Sequence, residues 1–181
     1  MAVVVETPRL TVRTVERSDV DAMQALYGDA ETMRYIGAGD GVRTREQTAR
    51  GLERVIAHQE QHGYSIWAVT DRATGEVIGN CGIVLMEWTG PDVEIAYMIR
   101  RDRWGEGIAT EAATACLQHG LGPLGLQLVV GLAYPDNVAS HRVMEKAGMT
   151  PVGEVTAYRN TMLRFEASNG ARHDRKPGCD P

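Results

Sequence analysis

The sequence predicts an α/β fold in which a mixed sheet is flanked by helices. Two patterns interleave along the chain: apolar residues at every second position, the period of a half-buried strand, and apolar residues three and four apart, the period of an amphipathic helix. Size is the third observation. A chain of 181 residues, 43% hydrophobic and 24% charged, matches one globular domain with its own core.

Residues 9–15 (RLTVRTV) alternate Leu10 and Val12 with Thr11 and Arg13 and predict a first strand. Ser18 and Asp21 form a capping signal ahead of Ala22, Met23 and Leu26, so a short helix should run to Tyr27, followed by a helical turn over residues 30–36. Residues 37–41 (GAGDG) hold no periodic element and read as a mobile loop. Thr44 and Gln47 make a capping box for a helix with Leu52, Val55 and Ile56 on one stripe, ending near His62 and Gly63.

The pattern then changes to strands. Residues 64–70 and 76–86 flank the turn sequence Asp71-Arg72-Ala73-Thr74-Gly75 and predict a hairpin. Residues 92–99 form a third strand with Val93, Ile95, Tyr97 and Ile99 on one face and Asp92, Glu94, Ala96 and Met98 on the other, so one face carries the acids, which without a function would be solvated strand-edge residues. A helix opens after Gly105 and Gly107 and closes near Gly120; a buried strand covers 127–133. Pro135 and then Asp136 or Asn137 open a helix stopped at Gly148, and residues 152–156 and 161–167 pair as a last hairpin. The predicted order is β-α-α-α-β-β-β-α-β-α-β-β. The domain spans residues 1–167, and residues 168–181 read as a disordered tail.

Several function classes are disfavoured. A net charge of −5 argues against a nucleic-acid partner, which would need clustered Lys and Arg. No apolar run reaches the roughly 20 residues of a membrane helix, and residues 1–6 lack the basic region of a signal peptide. Cys81, Cys116 and Cys179 are odd in number and without C-x-x-C spacing, which predicts a reduced, cytoplasmic protein. His58 and His62 are four apart on a helix but have no third ligand nearby, so no metal is expected and both read as a solvated helix end.

The segment from Glu94 to Ala112 carries the chemistry. A strand, a short loop and two glycines at a helix N-terminus form an anion cradle suited to a diphosphate; read without a ligand, the same glycines make a tight turn. No Lys follows them, which excludes a nucleotide-hydrolysing P-loop. A dinucleotide fingerprint would place Gly where Thr110 stands and an acid where Val129 and Val130 stand. A coenzyme A cradle remains.

Four segments together resemble a family: Thr7-Pro-Arg-Leu; Gly75-Glu-Val-Ile-Gly; Trp104-Gly-Glu-Gly-Ile-Ala-Thr-Glu-Ala; and Asn137-Val-Ala-Ser-His-Arg-Val-Met-Glu-Lys-Ala-Gly-Met. They span residues 7–165 and resemble the GNAT superfamily of N-acetyltransferases, in particular the Rim-type branch that acetylates ribosomal-protein N-termini. The resemblance implies a mostly antiparallel sheet, splayed at its centre between strand 92–99 and the strand starting at Gln127, with acetyl-CoA in the opening. It places the pantetheine arm on the backbone of Met98, Ile99 and Arg100, and the pyrophosphate on Gly105, Glu106, Gly107, Ile108, Ala109 and Thr110, with help from Arg101 or Arg103. Trp104 departs from the superfamily's broad pattern, although the Rim-type branch commonly has Trp there. Asn137 and Ser140 share a helix face that in this family meets the thiol end; from the residues alone they are an N-cap and a small residue at a helix crossing. Many members reprotonate the thiolate with a tyrosine where this chain has Met144, which leaves Ser140 or a water as donor.

The resemblance makes the acceptor an amine. Deprotonation at pH 7 costs ~1.4 kcal/mol for an α-amine and roughly 4.6 kcal/mol for a lysine side chain, which favours an α-amine, on a protein N-terminus or a small molecule. Glu94 is the expected general base, with Glu87 and Asp92 as runners-up, and the backbone at Ile99 the expected donor to the thioester carbonyl. The loops 37–41, 86–91 and 157–160 would line the acceptor side, and a homodimer is common among similar proteins. The alternative is a regulatory module that binds acetyl-CoA without turnover.

Overall fold

The computed structural model describes residues 1–37 and 41–170. Eight strands make one sheet in the order β1-β2-β3-β4-β5-β6-β8-β7. They are β1 (Val3–Glu6), β2 (Leu10–Arg13), β3 (Ile66–Asp71), β4 (Val77–Leu85), β5 (Val93–Ile99), β6 (Leu128–Ala133), β7 (Thr150–Ala157) and β8 (Asn160–Ser168). The helices are α1 (Val20–Tyr27), α2 (Ala30–Met33), α3 (Arg45–His62), α4 (Ile108–Leu121) and α5 (Val138–Lys146). All neighbouring strands are antiparallel except β5 and β6.

Strand alternation divides the core between two faces of the sheet. Trp67, Val69, Ile95 and Ile99 pack with α4 residues Ile108, Ala112 and Cys116. On the other face Ala68 and Met98 pack with Met23, Leu26 and Leu52, and Val84 with Val55, beneath α1 and α3. Asp92 and Glu94 share this face, and Glu94, only 7% exposed, is not the solvated strand-edge acid of the alternative reading.

The Thr44–Gln47 capping box and the Asn137 N-cap form as expected. The first helix differs: the reciprocal cap is Glu16 with Asp19, not Ser18 with Asp21, and it opens a 3₁₀ turn leading into α1. Asp19 is drawn inward because its carboxylate also receives two bonds from Arg13, at 2.7 and 2.8 Å. β1 was not foreseen; Val3, Val5 and Glu6 pair with Arg13, Val12 and Thr11 of β2, with a bulge between Val3 and Val5. β8 runs one residue beyond the predicted domain end, and the Asn169 amide donates to the Gln127 carbonyl. Of the predicted loop, residues 38–40 lie outside the described residues, as do residues 171–181 of the predicted tail.

His58 is not part of a solvated helix end. It is 7% exposed, its Nδ1 is 2.8 Å from the Tyr64 carbonyl, and the Leu85 amide donates to its Nε2. The ring thus joins α3 to the segment just before β3 and to the end of β4, and burial lowers its pKa. Cys81 and Cys116 are free and buried.

Candidate active site

Parallel pairing of β5 with β6 stops after Glu94–Val130 and Ile95–Gly131. Beyond Ile95 the strands diverge, and a cavity of about 590 Å³ opens where Glu94, Tyr97, Met98, Asn137, Ser140 and Tyr158 meet. Alternation along the β4–β5 ladder decides which backbone groups face the gap. The Arg100 amide donates to the Ile78 carbonyl of the neighbouring strand, so residues 94, 96, 98 and 100 point to β4 while Tyr97 and Ile99 point to the gap. The expected cofactor rungs Met98 and Arg100 are therefore engaged on the far side. The Ile99 carbonyl accepts the Trp104 indole at 2.7 Å, which leaves its amide toward the opening.

The loop after β5 is built by two glycines in the left-handed region, Gly105 at φ +82° and Gly107 at φ +76°. A Cβ on Gly105 would meet nothing within 4 Å, so conformation and not crowding requires glycine there. Gly107 is the N-cap of α4, and unlike Thr44 or Asn137 it supplies no capping side chain. The amides of Ile108, Ala109 and Thr110 thus open a 14-residue helix without a side-chain acceptor, the arrangement that suits a pyrophosphate. The loop is braced by its arginines: Arg103 binds Glu106 and Asp71, Arg9 donates to the Glu106 carbonyl, and Arg100 binds Asp102 and Glu76. Arg101, with only a 4.0 Å contact to Asp29, is the freer cation of the two expected to assist, and Trp104 is half-exposed.

Glu94 is held at the root of the opening. The Tyr158 hydroxyl donates to its Oε2 at 2.6 Å. Burial pushes the Glu94 carboxyl up to about 7, the Tyr158 bond opposes this, and the nearby Glu87 charge reinforces it. Glu87 in turn accepts the Tyr158 amide at 2.5 Å. Asp92 is drawn away, bound to Arg164 at 2.5 Å.

Backbone strain is concentrated in the same place. Glu87, Trp88, Tyr158 and Arg159 have φ of 53°, 65°, 50° and 61°, and among the described residues they are the non-glycine residues at positive φ. Such conformations cost on the order of 1–3 kcal/mol each and persist where surrounding structure fixes them. Tyr158 and Arg159 occupy the two central positions of the β7–β8 hairpin, where a glycine-containing pair would be relaxed. The strained turn aims the phenol at Glu94.

On α5, the Asn137 side chain accepts the Ser140 amide, as an N-cap should. Ser140 also meets Tyr97, whose hydroxyl lies 3.1 Å from the Ser140 carbonyl and 3.3 Å from its Oγ. Met144 is core: it is 2% exposed, and a Cβ on Gly131 would come within 2.5 Å of its sulfur. Tyr97 was not singled out from the sequence, and Tyr158 falls in the 157–160 turn expected to line the acceptor side, although its bond to Glu94 was not anticipated. Tyr97 fell on the apolar face of its strand, and the signal for Tyr158 was a two-residue turn without glycine. Among the described residues, no cluster of three or more His, Cys, Asp or Glu could hold a metal, and no helix is long and apolar enough to cross a membrane.

Residues 9–150 match the family described as acetyltransferase (GNAT) domain. The chain belongs to the GNAT acetyltransferase family. It is 36% identical over 145 residues to the uncharacterized protein YkkB of Bacillus subtilis, covering 79% of this chain and 83% of that one. It is 30% identical over 156 residues to the uncharacterized N-acetyltransferase YoaA of the same organism, covering 86% and 87%. Solved folds agree. A GNAT-family acetyltransferase from Bacillus anthracis superimposes with TM-score 0.79 at 23% identity over 93% of this chain and 99% of that one. RimL, a ribosomal L7/L12 α-N-protein acetyltransferase solved with coenzyme A, gives 0.77 at 18% identity over 92% and 97%. The chain is thus a GNAT acetyltransferase with acetyl-CoA as cosubstrate, and the open, mostly antiparallel sheet is the fold expected of it.

Proposed function

We propose that this GNAT enzyme acetylates the α-amine of a small molecule or a polypeptide N-terminus, with Glu94 as general base. The observation that carries the reading is a buried carboxylate, raised to about 7, at the root of the splay between β5 and β6. A base with that value is half-ionised near neutrality and matched to the modest driving force of removing a proton from an α-amine.

Acetyl-CoA supplies a thioester, an activated carbonyl open to attack by a neutral amine. The uncapped amides of Ile108, Ala109 and Thr110, with the turn at Gly105, Glu106 and Gly107, would hold its pyrophosphate, assisted by Arg101. The gap-facing backbone of Tyr97 and the amide of Ile99 would align the pantetheine arm and polarise the carbonyl oxygen. Trp104 fixes this edge by occupying the Ile99 carbonyl. Asn137 sets the start of α5 and thereby the position of Ser140.

Glu94 takes the ammonium proton, directly or through a water, and Tyr158 steadies its ionised form. At the other end of the reaction a proton must reach the departing sulfur. The Tyr97 hydroxyl beside Ser140 Oγ forms a two-hydroxyl unit in which Ser140 donates and Tyr97 restores its proton. Methionine at 144 needs no replacement on α5, because β5 contributes the phenol.

The test is release of free thiol from acetyl-CoA with a panel of α-amine and ε-amine acceptors, beside thermal unfolding with acetyl-CoA. Turnover that favours α-amines and is lost in Glu94→Gln supports the reading. Stabilisation by acetyl-CoA with no thiol release from any amine would leave a binding module without turnover.

A further inference from the structure

The arginines of this acidic chain are distributed unequally between paired and unpaired. Arg13, Arg17, Arg45, Arg100, Arg103 and Arg164 each hold a carboxylate at hydrogen-bond distance. Arg43, Arg50 and Arg54 have no carboxylate within ion-pair distance among the described residues, and all three line the cavity that contains Glu94. Arg50 and Arg54 lie four apart, on one face of α3, and Arg43 precedes that helix. Arg43 is stacked 4.6 Å over the Tyr27 ring and Arg54 4.2 Å over the Trp88 ring, so aromatic faces, not acids, position two of the guanidinium groups.

The two ends of the cavity are connected. Trp88 beneath Arg54 follows Glu87, Glu87 holds the Tyr158 amide, and the Tyr158 hydroxyl holds Glu94. The cavity therefore holds a proton-accepting carboxylate together with three guanidinium groups that have no ion-pair partner, although Glu46, one helical turn before Arg50, feels that residue's charge. Burial holds the Arg54 pKa below its ordinary value, Tyr158 opposes this, and the neighbouring Arg43 charge adds to it. A like-charge cluster that the fold does not neutralise is relieved by an anion from outside.

We propose that the acceptor is a primary amine carrying an anionic group, a carboxylate or a phosphate, in the same molecule, with Arg43, Arg50 and Arg54 binding the anion while the amine reaches Glu94. This rests on Glu94 being the amine end, as argued above. It selects among GNAT acceptors: a polycation, such as the ribostamycin bound in the structure of AAC(6')-Ib, would meet three cations without ion-pair partners here. The guanidinium fork suits either anion and would accept it bidentately.

The inference is tested with three dipeptide amides that share an alanine α-amine: alanyl-glutamyl-amide, alanyl-phosphoseryl-amide and alanyl-glutaminyl-amide. Spermidine and kanamycin serve as polycationic comparators. The expected result is a kcat/KM for one or both charged peptides at least roughly tenfold above the glutaminyl peptide, a factor of the size expected for one hydrogen-bonded charge. The better charged peptide distinguishes carboxylate from phosphate. Arg54→Gln and Arg50→Gln, both at exposed positions, should each reduce that ratio severalfold, and added salt should reduce it in the parent. Equal rates for charged and neutral peptides, an unchanged ratio in both variants, or preference for spermidine or kanamycin would overturn the anionic acceptor while leaving the transferase intact. Thiol release from no probe, with acetyl-CoA still stabilising the protein, would overturn the Glu94 reading and this inference with it.

Discussion

The Tyr158 hydroxyl donates to Glu94 Oε2 at 2.6 Å, across 64 residues of sequence and from a turn whose backbone is strained to make the contact. The bond favours the ionised carboxylate, against a burial that favours the protonated one. The balance of these two effects sets where the Glu94 carboxyl titrates, and it makes the proposed general base the first position to test.

Glu94→Gln should lower kcat by about 10²–10⁴-fold while stabilisation by acetyl-CoA persists. In the parent, kcat/KM should rise through about pH 7 as Glu94 ionises, and this limb should be missing from the variant. Stability gives an independent readout. A carboxyl raised above its unfolded value contributes stability below roughly pH 4.3 and loses it as pH rises through about 7. Chemical denaturation at pH 4 and pH 8 should therefore show the parent losing on the order of 3 kcal/mol relative to Glu94→Gln. An equal pH response of parent and variant would remove Glu94 from both accounts.

Tyr158→Phe keeps the ring in the turn and deletes the bond that stabilises the carboxylate. The activity limb assigned to Glu94 should move upward, by about one pH unit, with kcat recovering at high pH. A pH profile unchanged from the parent would show that the phenol does not tune the base.

Tyr97→Phe and Ser140→Ala should each reduce kcat by tenfold or more with little change in KM for acetyl-CoA if, as proposed, Ser140 donates to the departing sulfur and Tyr97 restores its proton. If they form one unit, the double variant should be little worse than the poorer single one, as expected for groups that act together. Multiplicative losses would separate their roles.

Gly107→Val places a β-branched residue at φ +76°, where the left-handed backbone costs a substituted residue roughly 1–2 kcal/mol. The larger effect should be on the cosubstrate. At 100 times its Kd, acetyl-CoA should stabilise the parent by ~2.7 kcal/mol, raising the unfolding midpoint by roughly 5–11 °C. The variant should show little of this shift, and an undiminished shift would place the pyrophosphate elsewhere.

Much of this protein follows from short-range pattern. The Thr44–Gln47 box, the Asn137 cap and the glycines at 105 and 107 act through bonds or dihedrals within a few residues, so their consequences are legible in the chain itself. The period-2 runs likewise located β3, β4 and β5, and the glycines at 105 and 107 located the turn that opens α4. β1 escaped because a short valine run identifies no partner, and its strand exists only through pairing with β2. The Asp19 cap was misplaced because Arg13, on a neighbouring element, competes for the carboxylate.

The electrostatics of the site belong to the tertiary structure. Strand pattern alone leaves Glu94 either a base or a solvated strand-edge acid until α1 and α3 cover that face, and its proton affinity is then set by burial and by Tyr158 from the far end of the chain. Tyr97 becomes a hydroxyl donor only when α5 brings Ser140 to it, and Arg43, Arg50 and Arg54 become a cluster only when α3 lies along the cavity. Sequence alone determined most of the elements, the glycine turn before α4 and the family, because these depend on local pattern. Folding decided which charges lose water and which cations lack a partner, because desolvation and ion pairing depend on groups far apart in the chain.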